Sequence, residues 1–213
     1  MLERRTYLFD INAGESERGN IITGRPIVYN SKTDIGGMFA EVIEPGALDG
    51  ADLRDVRLLV NHNTDMIPLA RSRRNNGNST MTLMPVPEGL DFEAIVDTEN
   101  NVDAKALYSA VKRGDLSGMS FMYSVSEGDD TWENLGTDYP TRHINKIASV
   151  VEISATTFPA YESTEIYARS SEAMEIAKQT LESARKRNAN PLESERKDEL
   201  ELLKAKFRFK ANY

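Results

Sequence analysis

The 213-residue chain contains no cysteine, only two histidines and a single tryptophan. The missing thiols exclude disulfides, a cysteine nucleophile and cysteine-ligated zinc together, and they suit a reducing compartment. No stretch approaches the roughly 18 consecutive apolar residues that a membrane-spanning helix needs. The N-terminal Met1-Leu2-Glu3-Arg4-Arg5 leads into alternating residues instead of a continuous apolar signal core, so a protein that is cytosolic where it is made is expected. Positive charge is also in deficit. The 26 basic residues are outnumbered by 34 acidic ones, and the formal net charge of −8 argues against broad attraction to nucleic acid or an anionic membrane. The local basic runs Arg71–Arg74 and Arg185–Arg187 read as solvated faces. Neither a phosphate-binding loop nor a dinucleotide fingerprint occurs.

The residues that are present suit a soluble globular protein with a polar extra segment, with 39% apolar and 28% charged side chains. Residues 4–97 read mainly as strands. Thr6, Leu8 and Asp10 alternate with Tyr7, Phe9 and Ile11. Ile21 to Tyr29 forms a second strand, in which Gly24 and Pro26 predict a bulge or an edge. Phe39 to Ile43 ends at Pro45-Gly46, and Val56 to Val60 is short and apolar. Thr80–Met84 and Leu90–Val96 flank Pro85-Val86-Pro87-Glu88-Gly89, a hairpin signature.

A helix follows, capped by Asn101, with Val102, Ala106, Leu107, Ala110 and Val111 on one face and Gly114 as its stop. Strands are then expected at Ser120–Val125 and Ile144–Ser154, with a polar loop from Asp129 to Pro140 between them. From about Ser170 the composition shifts to Ala, Glu, Lys, Leu and Arg. Ala177, Leu181 and Ala184 mark one helix. Asn190-Pro191 opens a second, with the stripe Leu200, Leu203 and Phe207. The expected fold class is mainly β with helices (α+β). It would be a closed or partly closed β-barrel over residues 1–168, with a helical tail over 169–213 that could dock on a scaffold or capsid.

Three segments carry candidate chemistry. Leu58-Leu59-Val60-Asn61-His62-Asn63 ends an apolar run on a histidine. Its imidazole, with an unperturbed pKa near 6.5, can act as a general base. A surface-loop histidine is the plainer alternative. Leu116-Ser117-Gly118-Met119-Ser120-Phe121 places Ser120 just after a turn, where a hydroxyl needs a base to become a nucleophile. Ser117 and Ser124 are its rivals. Val150-Val151-Glu152-Ile153-Ser154 puts Glu152 in an apolar strand, where a carboxylate must be paired. Glu152 could orient an imidazole or pair with an arginine. His143, between Arg142 and Ile144, looks like a loop-edge residue. A metal site of His62, Asp65 and His143 lacks any closely spaced ligand pair.

In order along the chain, four motifs resemble those of the caudovirus prohead (capsid maturation) serine proteases, distant relatives of the herpesvirus assemblins. The four are Glu44-Pro45-Gly46-Ala47-Leu48, Leu59-Val60-Asn61-His62-Asn63 followed by Ile67-Pro68-Leu69-Ala70-Arg71, Leu116 to Phe121, and Val151-Glu152-Ile153-Ser154 with Phe158-Pro159-Ala160. The resemblance spans roughly residues 1–168. One departure is Ala70, where the family pattern has glycine.

The resemblance implies an assemblin-like barrel and a serine endopeptidase with Ser120 as nucleophile, His62 as base and Glu152 as orienting acid, without cofactor or metal. It also implies capsid precursor and scaffold polypeptides as substrates, in the assembling procapsid within the bacterial cytoplasm. Neither nucleic acid nor membrane is an expected partner, and self-association is left open. Oxyanion donors are expected among the backbone N–H groups of Thr157 to Tyr161. The alternative is a non-enzymatic capsid assembly or scaffold protein whose β-barrel is a binding domain.

Overall fold

In the computed structural model, residues 2–7, 11–157 and 171–189 are described. Thirteen strands and two helices are named among them: β1 (Leu2–Tyr7), β2 (Ile11–Ser16), β3 (Gly19–Val28), β4 (Thr33–Ile35), β5 (Phe39–Ile43), β6 (Arg57–Val60), β7 (Ala70–Arg71), β8 (Met81–Val86), β9 (Gly89–Ile95), α1 (Val102–Arg113), β10 (Gly118–Ser124), β11 (Asp130–Glu133), β12 (Thr141–Ile144), β13 (Ser149–Thr156) and α2 (Ser171–Ala189). They form three sheets, ordered β1-β10-β13-β6-β7, β11-β12-β5-β4 and β2-β3-β9-β8. The α+β class holds. The described strands make three separate sheets, none closed into the barrel expected from the sequence.

Local signals account for much of this. Asn101 accepts hydrogen bonds from the N–H groups of Asp103 and Ala104, and Gly114 closes α1 in the left-handed conformation. The β8–β9 hairpin turns at Pro87-Glu88. Gly89 there has φ +150°, and a Cβ would lie 1.9 Å from the Ile27 carbonyl oxygen, so no other residue fits. The register of β3 against β9 shifts between Gly24 and Ile27. As β3 is an interior strand, the Gly24/Pro26 signal marks a bulge and not an edge.

Three expectations need correction. The strand expected across Thr6–Ile11 is two strands, β1 and β2, in different sheets. The strand expected across Ile144–Ser154 is also two. The chain leaves β12 at Ile144, Asp129 O accepts from the N–H groups of Asn145 and Lys146, and β13 begins at Ser149 in another sheet. The loop expected from Asp129 to Pro140 contains β11, paired to β12 from Asp130↔Ile144 to Glu133↔Thr141.

One large core joins the sheets and α1, including Ile22, Ile27, Leu58, Phe92, Leu107, Phe121, Tyr123 and Ile153. A second, smaller cluster lies under α2, where Ala177 and Leu181 pack with Ile35 and Phe39, flanked by Met38, Trp132 and Leu135. The first tail helix thus rests on the β11-β12-β5-β4 sheet, and Arg185 donates to the Thr137 carbonyl at 2.8 Å. The second tail helix, with Leu200, Leu203 and Phe207, lies outside the described residues.

Leu181→Ala is therefore expected to lower stability by about 2 kcal/mol, the low end for a buried leucine near a rim. Glu182→Ala, on the exposed face, should stay within about 0.5 kcal/mol of wild type. Denaturant midpoints of the two variants decide. Equal midpoints would mean that α2 contributes nothing to the fold.

Candidate active site

Leu58 and Leu59 bury β6 beside β13, with which it runs parallel from Glu152↔Arg57 to Ala155↔Val60. The strand then stops abruptly. Asn61 and His62 both adopt left-handed backbone, with φ +51° and +57°. Left-handed backbone in non-glycine residues costs about 1–2 kcal/mol each, so this turn needs support. The Asn61 N–H donates to Ala155 O at 3.0 Å and the Asn63 N–H to Val60 O at 3.0 Å. The Asn61 side chain accepts from the Thr157 N–H at 3.0 Å. The His62 N–H donates to Ser154 Oγ at 3.1 Å.

The turn swings the imidazole back across β13. His62 Nδ1 lies 2.5 Å from Glu152 Oε1, and Nε2 lies 2.6 Å from Ser120 Oγ. With Nδ1 carrying the proton, Nδ1–H donates to the carboxylate and Nε2 accepts the Ser120 hydroxyl proton. The second carboxylate oxygen, Glu152 Oε2, accepts from Ser154 Oγ–H at 2.5 Å. The Glu152 side chain is 1% exposed and that of His62 14%. Ser120 and Ser154 are fully buried.

Three strands and a turn thus supply the group. The register sets Ser120 opposite Ser154 and Met122 opposite Glu152 on the antiparallel β10–β13 pair. Alternation places Glu152 and Ser154 on one face of β13. The arrangement can take a proton from a serine hydroxyl and hold the resulting imidazolium beside a buried carboxylate.

The three residues singled out from the sequence are brought together, and the rivals stand elsewhere. Ser124 Oγ is 2.8 Å from Ser149 Oγ. Ser117 is exposed, ahead of β10. His143 sits in β12, with Nδ1 2.6 Å from Glu44 Oε1, and does not join His62. Asp65 lies in the exposed turn after His62, its N–H bound to Asn63 Oδ1. Among the described residues, no group of three or more His, Cys, Asp or Glu side chains could hold a metal ion. One arginine of each basic run pairs with an acidic side chain. Arg71 donates to both oxygens of Asp55 and holds that carboxyl below its usual range. Arg187 pairs with Glu127 at 3.2 Å.

Sequence reasoning missed Ser154 as a site residue. Its one local signal is the offset of two from Glu152, which puts both on the same strand face. Of the backbone donors expected at Thr157 to Tyr161, the Thr157 N–H is occupied by Asn61 Oδ1. Phe158 to Tyr161 lie outside the described residues.

The family model of the caudovirus prohead serine proteases matches residues 8–179. No curated protein and no solved structure matches the chain. The match covers most of the sequence, including the three strands and the turn that carry this site, and the chain belongs to the caudovirus prohead serine protease family.

Proposed function

We propose that Ser120, His62 and Glu152 are the nucleophile, general base and orienting acid of a serine endopeptidase. Its substrates are capsid precursor and scaffold polypeptides inside the assembling procapsid. The observation that carries this reading is the continuous chain of contacts from Ser120 Oγ through His62 to Glu152, at 2.6 and 2.5 Å. Family membership supports the substrate class. None of the described helices is long and apolar enough to cross a membrane.

In this mechanism Ser120 Oγ attacks the scissile carbonyl carbon while His62 Nε2 takes the hydroxyl proton. The carbonyl electron pair moves onto its oxygen. Glu152 keeps the Nδ1–H tautomer in place and stabilises the imidazolium. His62 then gives its proton to the leaving amine and the C–N bond breaks. A water, deprotonated by the same nitrogen, releases the acyl group. Neither cofactor nor metal enters these steps.

A fluorophosphonate probe tests the assignment by phosphonylating an activated serine, the Oγ–P bond forming as the P–F bond breaks and fluoride leaves. Peptide mapping should find the label on Ser120. Label on Ser117 or Ser124, or none at all, would overturn the reading. Glu152→Gln is expected to slow single-turnover cleavage by about 10²- to 10⁴-fold, since the amide keeps the shape but loses the charge facing the imidazolium. His143→Ala should cleave at close to the wild-type rate, because its ring is turned to Glu44. A dead His143→Ala beside a fully active Glu152→Gln would mean that a second histidine is the third member.

The part of the tail beyond α2 we assign to docking on scaffold or capsid. The support is compositional, namely a charged helix-forming segment opened by Asn190-Pro191, with the narrow stripe Leu200, Leu203 and Phe207.

A further inference from the structure

Thr156 is 5% exposed, and its Oγ1 hydroxyl makes no hydrogen bond. A buried hydroxyl without a partner is costly, and native folds seldom leave one so unless something else uses it. Two other buried side-chain atoms among the described residues make no hydrogen bond: Trp132 Nε1, and His143 Nε2, which stands 3.5 Å from Glu133 Oε2. Both belong to the β11-β12-β5-β4 sheet, away from the site. Thr156 belongs to β13 itself. Glu152, Ser154 and Thr156 share one face of that strand, and that face carries the imidazole. In the β10–β13 register, Met122, Ser120 and Gly118 stand opposite Glu152, Ser154 and Thr156 in turn. Glu152 therefore occupies one flank of the Ser120–Ser154 pair and Thr156 the other. The residue directly opposite Thr156 is a glycine, which brings no side chain to pair with the hydroxyl.

An acyl-transfer site needs donors aimed at the carbonyl oxygen as it turns into an oxyanion. The carboxylate flank holds the imidazole, so the carbonyl approaching Ser120 must turn its oxygen elsewhere. Of the backbone donors first considered, the Thr157 N–H already serves Asn61. We infer that the Thr156 hydroxyl is an oxyanion donor, hydrogen-bonding the scissile carbonyl oxygen as Ser120 adds to the carbon. The Oγ–C bond forms, the carbonyl π pair becomes the oxyanion, and the Ser120 proton resides on His62. The Thr156 proton stays on Oγ1, shared with the oxyanion and not transferred. The inference rests on Ser120 being the nucleophile.

Thr156→Val removes the hydroxyl at nearly constant shape. The probe is a peptide spanning a precursor junction that the wild-type chain cleaves. The expected result is a kcat lowered by about 10²- to 10³-fold with KM unchanged, as for loss of one oxyanion donor in a hydrolase. Thr156→Ser should return kcat to within about tenfold of wild type, because the hydroxyl carries the effect. The thermal midpoint of Thr156→Val should stay the same or rise, because an unpaired buried polar group has been removed. Opposite movement of activity and stability separates a donor from a structural side chain. Wild-type kcat in Thr156→Val would overturn the inference. So would a loss of activity that follows a fall in midpoint and is not restored by Thr156→Ser. Ser120→Ala run alongside separates the two readings. If it still cleaves, the nucleophile assignment has failed, and this inference with it. If it is inactive while Thr156→Val is fully active, only the oxyanion assignment has failed.

Discussion

Ser120→Ala is expected to leave capsid precursor at full length when the two are co-expressed, and His62→Ala to do the same. In the proposed mechanism Ser120 Oγ and His62 Nε2, which lie 2.6 Å apart, act as one unit. Removing either member deletes nearly the whole effect, on the order of 10⁶-fold in kcat for a well-studied hydrolase with this pair. For the same reason the double variant should be no slower than either single variant. Ser120→Ala removes one buried hydroxyl and should shift the thermal midpoint by a few degrees at most, whereas His62→Ala takes the imidazole from the buried Glu152 carboxylate and is expected to lower the midpoint further while the chain still folds. Gel mobility of the precursor reads the cleavage, and circular dichroism reads the fold. Normal processing by a folded Ser120→Ala would refute the serine mechanism. Normal processing by His62→Ala with an inactive Ser120→Ala would move the base to another residue.

The largest expected effect on folding lies elsewhere, at Arg142. Its side chain is 3% exposed, and it holds three carboxylates from three other strands. Nη1 lies 2.6 Å from Glu3 Oε2 and 3.0 Å from Glu41 Oε2, and Nε lies 2.7 Å from Asp130 Oδ2. Tyr123 adds a hydrogen bond to Glu41 Oε1 at 2.9 Å. Burial by itself would lower the guanidinium pKa, but Glu3 and Glu41 outweigh it and hold Arg142 above its usual value. Glu3 lies on β1, in the sheet of the candidate site. Glu41, Asp130 and Arg142 lie on β5, β11 and β12 of another sheet, so the cluster ties the two sheets together.

Arg142→Met would leave three buried carboxylates facing one another without their shared cation. Breaking a buried ion pair from one side costs about 3–5 kcal/mol, against a total stability of about 5–15 kcal/mol for a typical protein. The variant is expected to be unfolded or insoluble at 37 °C. Adding Glu3→Gln and Glu41→Gln to Arg142→Met should recover part of the loss, since the amides need no counter-charge. A thermal midpoint for Arg142→Met within a few degrees of wild type would show that the cluster is dispensable.

Several features are determined within a few residues of sequence and were legible there. Asn101 and Gly114 bound α1 because a cap and a left-handed stop are local chemistry. Phe39–Ile43, the β8–β9 hairpin and the helix marked by Ala177, Leu181 and Ala184 follow from apolar spacing and turn residues. The candidate site residues were legible as short motifs, through family resemblance more than through spacing. Their juxtaposition was not legible. His62 meets residues 58 and 90 positions away, and only the sheet order β10-β13-β6 and the left-handed turn at Asn61-His62 bring them together.

The same physics explains the errors. Thr6–Ile11 and Ile144–Ser154 each look like one strand, because alternation and apolarity do not reveal which sheet a residue will join. Asp130–Glu133 looks like loop, because a four-residue polar strand is stabilised by its neighbour β12 and not by its own composition. Nothing near Arg142 in the sequence marks it as the centre of a buried cluster, because its carboxylate partners stand 139, 101 and 12 positions away. The sequence by itself determined α1 with its cap and stop, the strand Phe39–Ile43, the β8–β9 hairpin and the family motifs, because each is written in residues close together along the chain. The tertiary structure alone decided which strands pair, where the buried charges meet, that Ser154 braces both His62 and Glu152, and that the Thr156 hydroxyl is left unpaired. Those depend on contacts that exist only once distant segments are packed together.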